Sequence, residues 1–242
     1  MKKRTRIILS VCLAVLLVFG IGGYAYVLDY YHADETALEA MDYLTDSVQA
    51  EQDGDVIWFV PENPVAGLIF YPGGKVEYTA YAPLLRACAE QGILCALVQM
   101  PGNLAVLDAN AADGLQQEHP EITTWYIAGH SLGGAMAAGY AAAHEKDYDG
   151  LILLAAYSTK DLTGTPLRVL SVYGSEDGVM NRESYEKNRS NLPADTTEVV
   201  LDGGCHAQFG SYGAQDGDGV PTISGEEQIR QTAEAITAFI GQ

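Results

Sequence analysis

The sequence predicts an α/β fold, a mostly parallel sheet with helices on both faces, and three observations predict it. Strand-like and helix-like segments alternate from about residue 55 to the C-terminus. Residues 93–100 form an apolar run broken only by Gln99, the pattern of a strand buried on both faces. Gly129-His130-Ser131-Leu132-Gly133 stands between an apolar run (124–128) and an alanine-rich stretch (135–144). A strand therefore passes into a helix through a tight turn built around a serine, with glycines where a side chain would not fit. Such a turn lifts the Ser131 hydroxyl clear of the sheet, at a helix N-terminus that favours developing negative charge.

The elements follow in order. Four bases, Lys2, Lys3, Arg4 and Arg6, precede an uncharged run over residues 7–28, about as long as a bilayer requires. The basic flank predicts a transmembrane signal anchor with the rest of the chain outside the cytoplasm. A cleaved signal peptide with a secreted product is the rival, but its apolar region is shorter and no clean A-x-A site follows here. Residues 29–54 read as a polar helical linker, with Leu38, Met41, Leu44 and Val48 at helical spacing. Residues 55–242 form the remaining domain. Within it, 55–60 and 66–71 read as strands, 78–90 as a helix closed by Gly92, and 93–100 as a strand. Residues 104–118 read as a helix, and 151–156 and 167–173 as strands. A helix is predicted over 182–191, a strand over 197–201, and a last helix from Ser224 to near Ile240, opened by the capping box Ser224–Glu227. No stretch between strands is long enough for a large lid domain.

The net charge of −19 is concentrated after the N-terminus. Four of the 13 bases lie in the first six residues, so the rest of the chain sets 9 bases against 32 acids. Such a surface repels nucleic acid and anionic head groups and keeps the domain soluble. The membrane contact expected is the N-terminal helix alone, and the sequence does not fix an oligomeric state. Cys88 and Cys95 read as buried thiols, although an oxidising compartment would permit a bridge between them. No C-x-x-C or H-E-x-x-H spacing suggests a metal, and no cofactor motif is present.

A serine that attacks an acyl group needs a base, and the base needs an orienting acid. Of five histidines, His32 adjoins the apolar run, His119 and His144 sit at predicted helix ends, and the His130 side chain should point away from the Ser131 hydroxyl. His206 alone follows the last predicted strand, which makes it the candidate base. The acid is expected after strand 167–173, where Gly174-Ser175-Glu176-Asp177-Gly178 places Asp177 in a turn. Glu176 offers the same chemistry from a more exposed position, and Asp161 is a migrated alternative. Two backbone donors complete an oxyanion hole. One is the N–H of Leu132. The other comes from Tyr71-Pro72-Gly73-Gly74-Lys75-Val76, with Gly74 the first candidate and Lys75 the second. The glycine-rich stretch 208–219 reads as a flexible rim in which Gln208, Phe209 and Tyr212 either line the substrate site or pack the loop. Asp216 and Asp218 lack the remaining ligands of a calcium loop, so no metal is expected there.

With these residues in place the chain resembles the α/β-hydrolase superfamily, in particular a small single-domain branch distantly similar to dienelactone hydrolases. The resemblance rests on the 71–76 loop, on Met100-Pro101-Gly102-Asn103-Leu104-Ala105, on the turn at Ser131, and on Gly204-Cys205-His206-Ala207-Gln208-Phe209-Gly210. It spans about residue 55 to the C-terminus. It implies a Ser131–Asp177–His206 triad acting on a small-molecule ester or related acyl substrate without a cofactor. Dienelactone hydrolases use a cysteine nucleophile, so their substrate does not carry over to a chain with serine. An acyltransferase with the same triad, and a catalytically silent binding protein at the cell surface, are the alternatives.

Overall fold

The computed structural model describes residues 3–41 and 47–242; the side chains of residues 3–11 lie outside the description. The chain divides into two units, Met1–Tyr30 and Tyr31–Gln242. The first contains one helix, α1 (Lys3–Leu28). Among the described residues no helix is long and apolar enough to cross a membrane. The described side chains of α1 begin at Cys12, so its basic flank and the start of its apolar run fall outside that statement.

The second unit is built on one eight-stranded sheet. Its strands are β1 (Val48–Asp53), β2 (Val56–Pro61), β3 (Ala66–Tyr71), β4 (Ile93–Val98), β5 (Trp125–His130), β6 (Gly150–Leu154), β7 (Arg168–Gly174) and β8 (Thr197–Leu201). The spatial order is β1-β2-β4-β3-β5-β6-β7-β8. The β1–β2 and β2–β4 pairs are antiparallel, and all pairs from β4 to β8 are parallel. Parallel neighbours need crossovers, and the crossovers supply the helices that cover both faces. Alternate residues of each central strand feed opposite cores. Leu68 and Phe70 of β3 pack with α3 (Ala82–Ala89) and α7 (Gly225–Ile240) through Leu84, Leu85, Ile229 and Ile236. Ile69 and Tyr71 pack on the other face with α5 (Leu132–Ala143) through Ala137, Ala138 and Ala141. The alanines of α5 let its backbone lie close to the sheet. The Asn181 side chain caps α6 (Arg182–Asn188) by accepting the Ser184 N–H at 2.8 Å, and the Ser224 hydroxyl caps α7 by accepting the Glu227 N–H at 3.1 Å.

Two expectations change. The stretch 29–54 is not a continuous helical linker: among its described residues only α2 (Glu35–Glu39) is helical, and β1 adds an edge strand to the sheet. Leu44, one of the residues that suggested the helix, lies outside the described residues. Val48 and Ala50 alternate with exposed partners along β1, and Gly54, at φ 55°, turns the chain into β2. The helix expected over 104–118 is instead two 3-10 turns, Pro101–Asn103 and Ala105–Leu107, followed by the short α4 (Leu115–Glu118). Gly102, Asn103 and Gly114 all take positive φ, which ends helical geometry on both sides of the segment. The Tyr71 hydroxyl then fixes the irregular stretch, donating to the Ala109 carbonyl and accepting the Ala112 N–H.

Candidate active site

β5, β7 and β8 run parallel, so the segments that follow them emerge at one edge of the sheet. Those segments carry Ser131, Asp177 and His206. Ser131 sits at φ 50°, ψ −118° in the N-cap position of α5, with no capping bond from its hydroxyl. Few non-glycine residues occupy that conformation, which costs on the order of 1–3 kcal/mol and is kept where surrounding structure enforces it. The enforcement is visible on both sides. The Ser131 N–H donates to the Leu154 carbonyl at 2.9 Å, tying the turn to β6. A Cβ on Gly133 would lie 2.2 Å from the carbonyl oxygens of both Tyr71 and Pro72, and one on Gly129 would lie 2.5 Å from the Gly133 carbonyl carbon. Glycine is therefore required on each side of the serine.

Asp177 and His206 meet each other across their two loops. His206 Nδ1 lies 2.9 Å from Asp177 Oδ2, with both side chains removed from solvent. The other carboxylate oxygen of Asp177 accepts the N–H groups of Val179 and Met180 at 2.9 and 2.8 Å. The carboxylate is thus fixed in its own turn and presents one oxygen to the imidazole. Nδ1 engaged with a carboxylate leaves Nε2 as the basic position of the ring. The alternatives do not reach this ring: Glu176 accepts from the Ser175 hydroxyl at an exposed position, and Asp161 accepts from Thr163.

The two candidate oxyanion elements touch each other. A Cβ on Gly74 would come within 2.8 Å of the Leu132 side chain. Lys75 is corrected as a donor, because its N–H is given to the Asn103 carbonyl at 2.8 Å. The Gly73 N–H is likewise used, donated to the Tyr81 hydroxyl at 3.1 Å. Among the described residues no acceptor is recorded for the N–H groups of Gly74 or Leu132. The Leu132 N–H is the first of α5 and has no partner within the helix.

His130 was expected to point away from the Ser131 hydroxyl, and its ring is buried. Its Nδ1 lies 2.8 Å from the Tyr81 hydroxyl, and its ring lies 4.5 Å from that of His206 and 5.5 Å from that of Phe209, centroid to centroid. Burial, reinforced by the charge of a protonated His206, holds its pKa well below the ordinary histidine range; the His206 backbone carbonyl opposes this more weakly. His130 is therefore a neutral spacer between Tyr81, which holds the 71–76 loop through the Gly73 N–H, and the ring of His206. Only its place next to the serine marked it in sequence.

The rim residues divide. Phe209 is fully buried against His130, and Tyr212 is buried beside Tyr31 and Tyr81, so both pack the loop and leave the lining role. Gln208 is half-buried and borders a groove of about 1380 Å³ that runs between α2, α3, α7 and the 205–221 loop. That groove does not include Ser131. Two further residues shape the His206 loop: Gln228 carried no sequence signal of its own, and Asp218 was weighed only as a calcium ligand. Buried Gln228 of α7 accepts the Cys205 N–H and donates to the Cys205 carbonyl, at 2.9 and 2.8 Å. Asp218 accepts backbone N–H groups from the loops of both Asp177 and His206. Cys205 itself is a buried free thiol, as are Cys88 and Cys95.

Comparisons with other proteins agree on the fold. A family model described as alpha/beta hydrolase family matches residues 67–230. Solved structures with the same fold include TT1662 from Thermus thermophilus, at 16% identity and a TM-score of 0.60 over 81% of this chain and 100% of that one. A predicted CIB-like hydrolase from Thermoplasma acidophilum gives 15% identity and a TM-score of 0.59, covering 79% of this chain and 99% of its own. Est1E from Butyrivibrio proteoclasticus gives 14% identity and 0.59, over 81% and 100%. No curated protein matches the chain.

Proposed function

The chain belongs to the alpha/beta hydrolase family, and from that premise we propose that it is a serine hydrolase cleaving a carboxylic ester through an acyl-enzyme. The observation that carries the reading is the buried His206–Asp177 pair at 2.9 Å, delivered to the same sheet edge as a serine held at positive φ. In this mechanism Ser131 Oγ attacks the acyl carbonyl while His206 Nε2 takes its proton. The tetrahedral oxyanion accepts hydrogen bonds from the N–H groups of Leu132 and Gly74. It collapses with loss of the alcohol, which receives the proton from His206. Water, deprotonated by the same imidazole, then attacks the acyl-serine and frees the acid and the Ser131 hydroxyl. Asp177 keeps the imidazole in the required tautomer and stabilises its cation.

Location forms part of the proposal. The basic start and the uncharged run of residues 7–28 support an anchor with the hydrolase unit outside the cytoplasm. Within α1, Leu13, Leu16, Leu17, Phe19 and Ile21 are all exposed, as lipid-facing side chains would be.

A fluorophosphonate probe tests the chemistry. Labelling of the wild type that disappears in Ser131→Ala is expected, followed by turnover of short p-nitrophenyl esters. An unlabelled, folded wild type would instead favour a silent binding role, and labelling that survives Ser131→Ala would remove Ser131 as nucleophile.

A further inference from the structure

Outside the three residues just discussed, one carboxylate connects their loops. Asp218 lies in the glycine-rich stretch after His206, and its oxygens accept four backbone N–H groups. Oδ1 receives those of Gly178 at 3.1 Å, His206 at 3.1 Å and Gly219 at 2.8 Å; Oδ2 receives that of Ala207 at 2.8 Å. Gly178 directly follows Asp177, and His206 is the base itself. The backbones are pressed together to allow this. A Cβ on Gly178 would fall 2.6 Å from the Gly217 carbonyl oxygen, and one on Gly219 only 1.8 Å from that of Glu176. Gly217 takes φ 83° at the turn that brings Asp218 inward. The carboxylate is ionised there: partial burial would raise its pKa, but the N–H groups of Ala207, Gly178 and His206 outweigh that and hold it below the usual carboxylate range.

We propose that Asp218 is a positioning residue that sets the Asp177–His206 hydrogen bond by clamping the acid loop to the base loop; this rests on the serine-hydrolase reading above. A carboxylate suits the task because it offers only acceptors, and every partner is a donor. An amide that keeps its oxygen on the Gly178 and His206 N–H groups turns its NH₂ group toward the Ala207 N–H, which loosens the base loop at the residue after His206. The effect falls on transition-state geometry and leaves substrate binding alone.

The test compares Asp218→Asn with Asp216→Asn in the full-length chain. Asp216 is an exposed neighbour whose carboxylate takes no part in the clamp. In Asp218→Asn, kcat for a p-nitrophenyl ester is expected to fall on the order of 10²-fold with KM unchanged. The low-field proton resonance of the His206–Asp177 hydrogen bond should shift or vanish, and Asp216→Asn should alter neither. Wild-type kcat and an unmoved resonance in Asp218→Asn overturn the proposal. If that variant does not fold, amide hydrogen exchange in the wild type decides. Protection of Gly178, His206 and Ala207 above that of exposed Gly213 supports the clamp, and equal exchange overturns it. Fluorophosphonate labelling separates the two levels. A wild type that fails to label at Ser131 removes the hydrolase reading, whereas intact labelling with no Asp218 effect removes only the clamp.

Discussion

Ser131, Asp177 and His206 were each legible as residues, because each stands at a strand exit with small neighbours and in the chain order that a serine–acid–base system uses. Their energetic setting was not. Asp177 satisfies three donors with two oxygens while fully enclosed, so its replacement changes the tautomer and leaves the fold in place. Asp177→Asn is expected to lower kcat on the order of 10⁴-fold with little change in KM, measured by steady-state ester hydrolysis. His130 could be placed in sequence but not assigned a state. In the fold it is buried and neutral, with a depressed pKa. The unfolded chain therefore binds a proton that the native chain refuses, at every pH between that depressed value and the ordinary histidine value of about 6.5. Stability rises with pH across this window and is lost as pH falls through it. Thermal midpoints followed downward from neutral pH should decline, and His130→Phe should flatten that decline even if the absolute midpoint drops with the loss of the Tyr81 partner.

At the scale of elements, the strands were more legible than the connections. Continuous apolar runs identified β3 to β7 within a residue or two, since burial on both faces leaves no polar positions to confuse the pattern. The edge strand β1 was read as helix, because Leu38, Met41 and Val48 happen to fall at helical spacing and an edge strand with one buried face shows few apolar residues. The Asp53-Gly54 pair was the overlooked signal for its hairpin. The segment between β4 and α4 failed for a different reason: its path depends on the Tyr71 hydroxyl, which lies more than thirty residues earlier in the chain. The last helix shows how a distant element governs the site. Gln228 of α7 supplies both hydrogen bonds to the Cys205 peptide groups, next to the base. Gln228→Leu leaves a buried N–H and a buried carbonyl without partners, each costing about 1–3 kcal/mol. A lowered denaturation midpoint is expected, together with reduced kcat from a loosened His206 loop; unchanged stability would show that the loop finds other partners.

Across the whole molecule the chain divides into two units, and the proposed function gives them separate tasks. The anchor reading predicts that the intact mass of the mature protein retains its N-terminal residues, and that membrane association is lost when the chain starts at Tyr31 while Ser131 labelling persists. A mature mass lacking residues 1 to about 25 would instead indicate cleavage of a signal peptide. By itself the sequence determined the fold class, the serine at the turn, the order of the candidate acid and base, and the separation of a basic, apolar N-terminus from an acidic domain. These are local in origin: periodicity, turn chemistry and charge are all expressed over a few residues. Only the tertiary structure decided which loop N–H groups remain open, that Phe209 and Tyr212 pack inward, that His130 lies against His206, and that Asp218 joins the loops of Asp177 and His206. Each of those depends on contacts between segments far apart in the chain. A buried polar group takes its role from whichever distant donors and acceptors the fold brings to it.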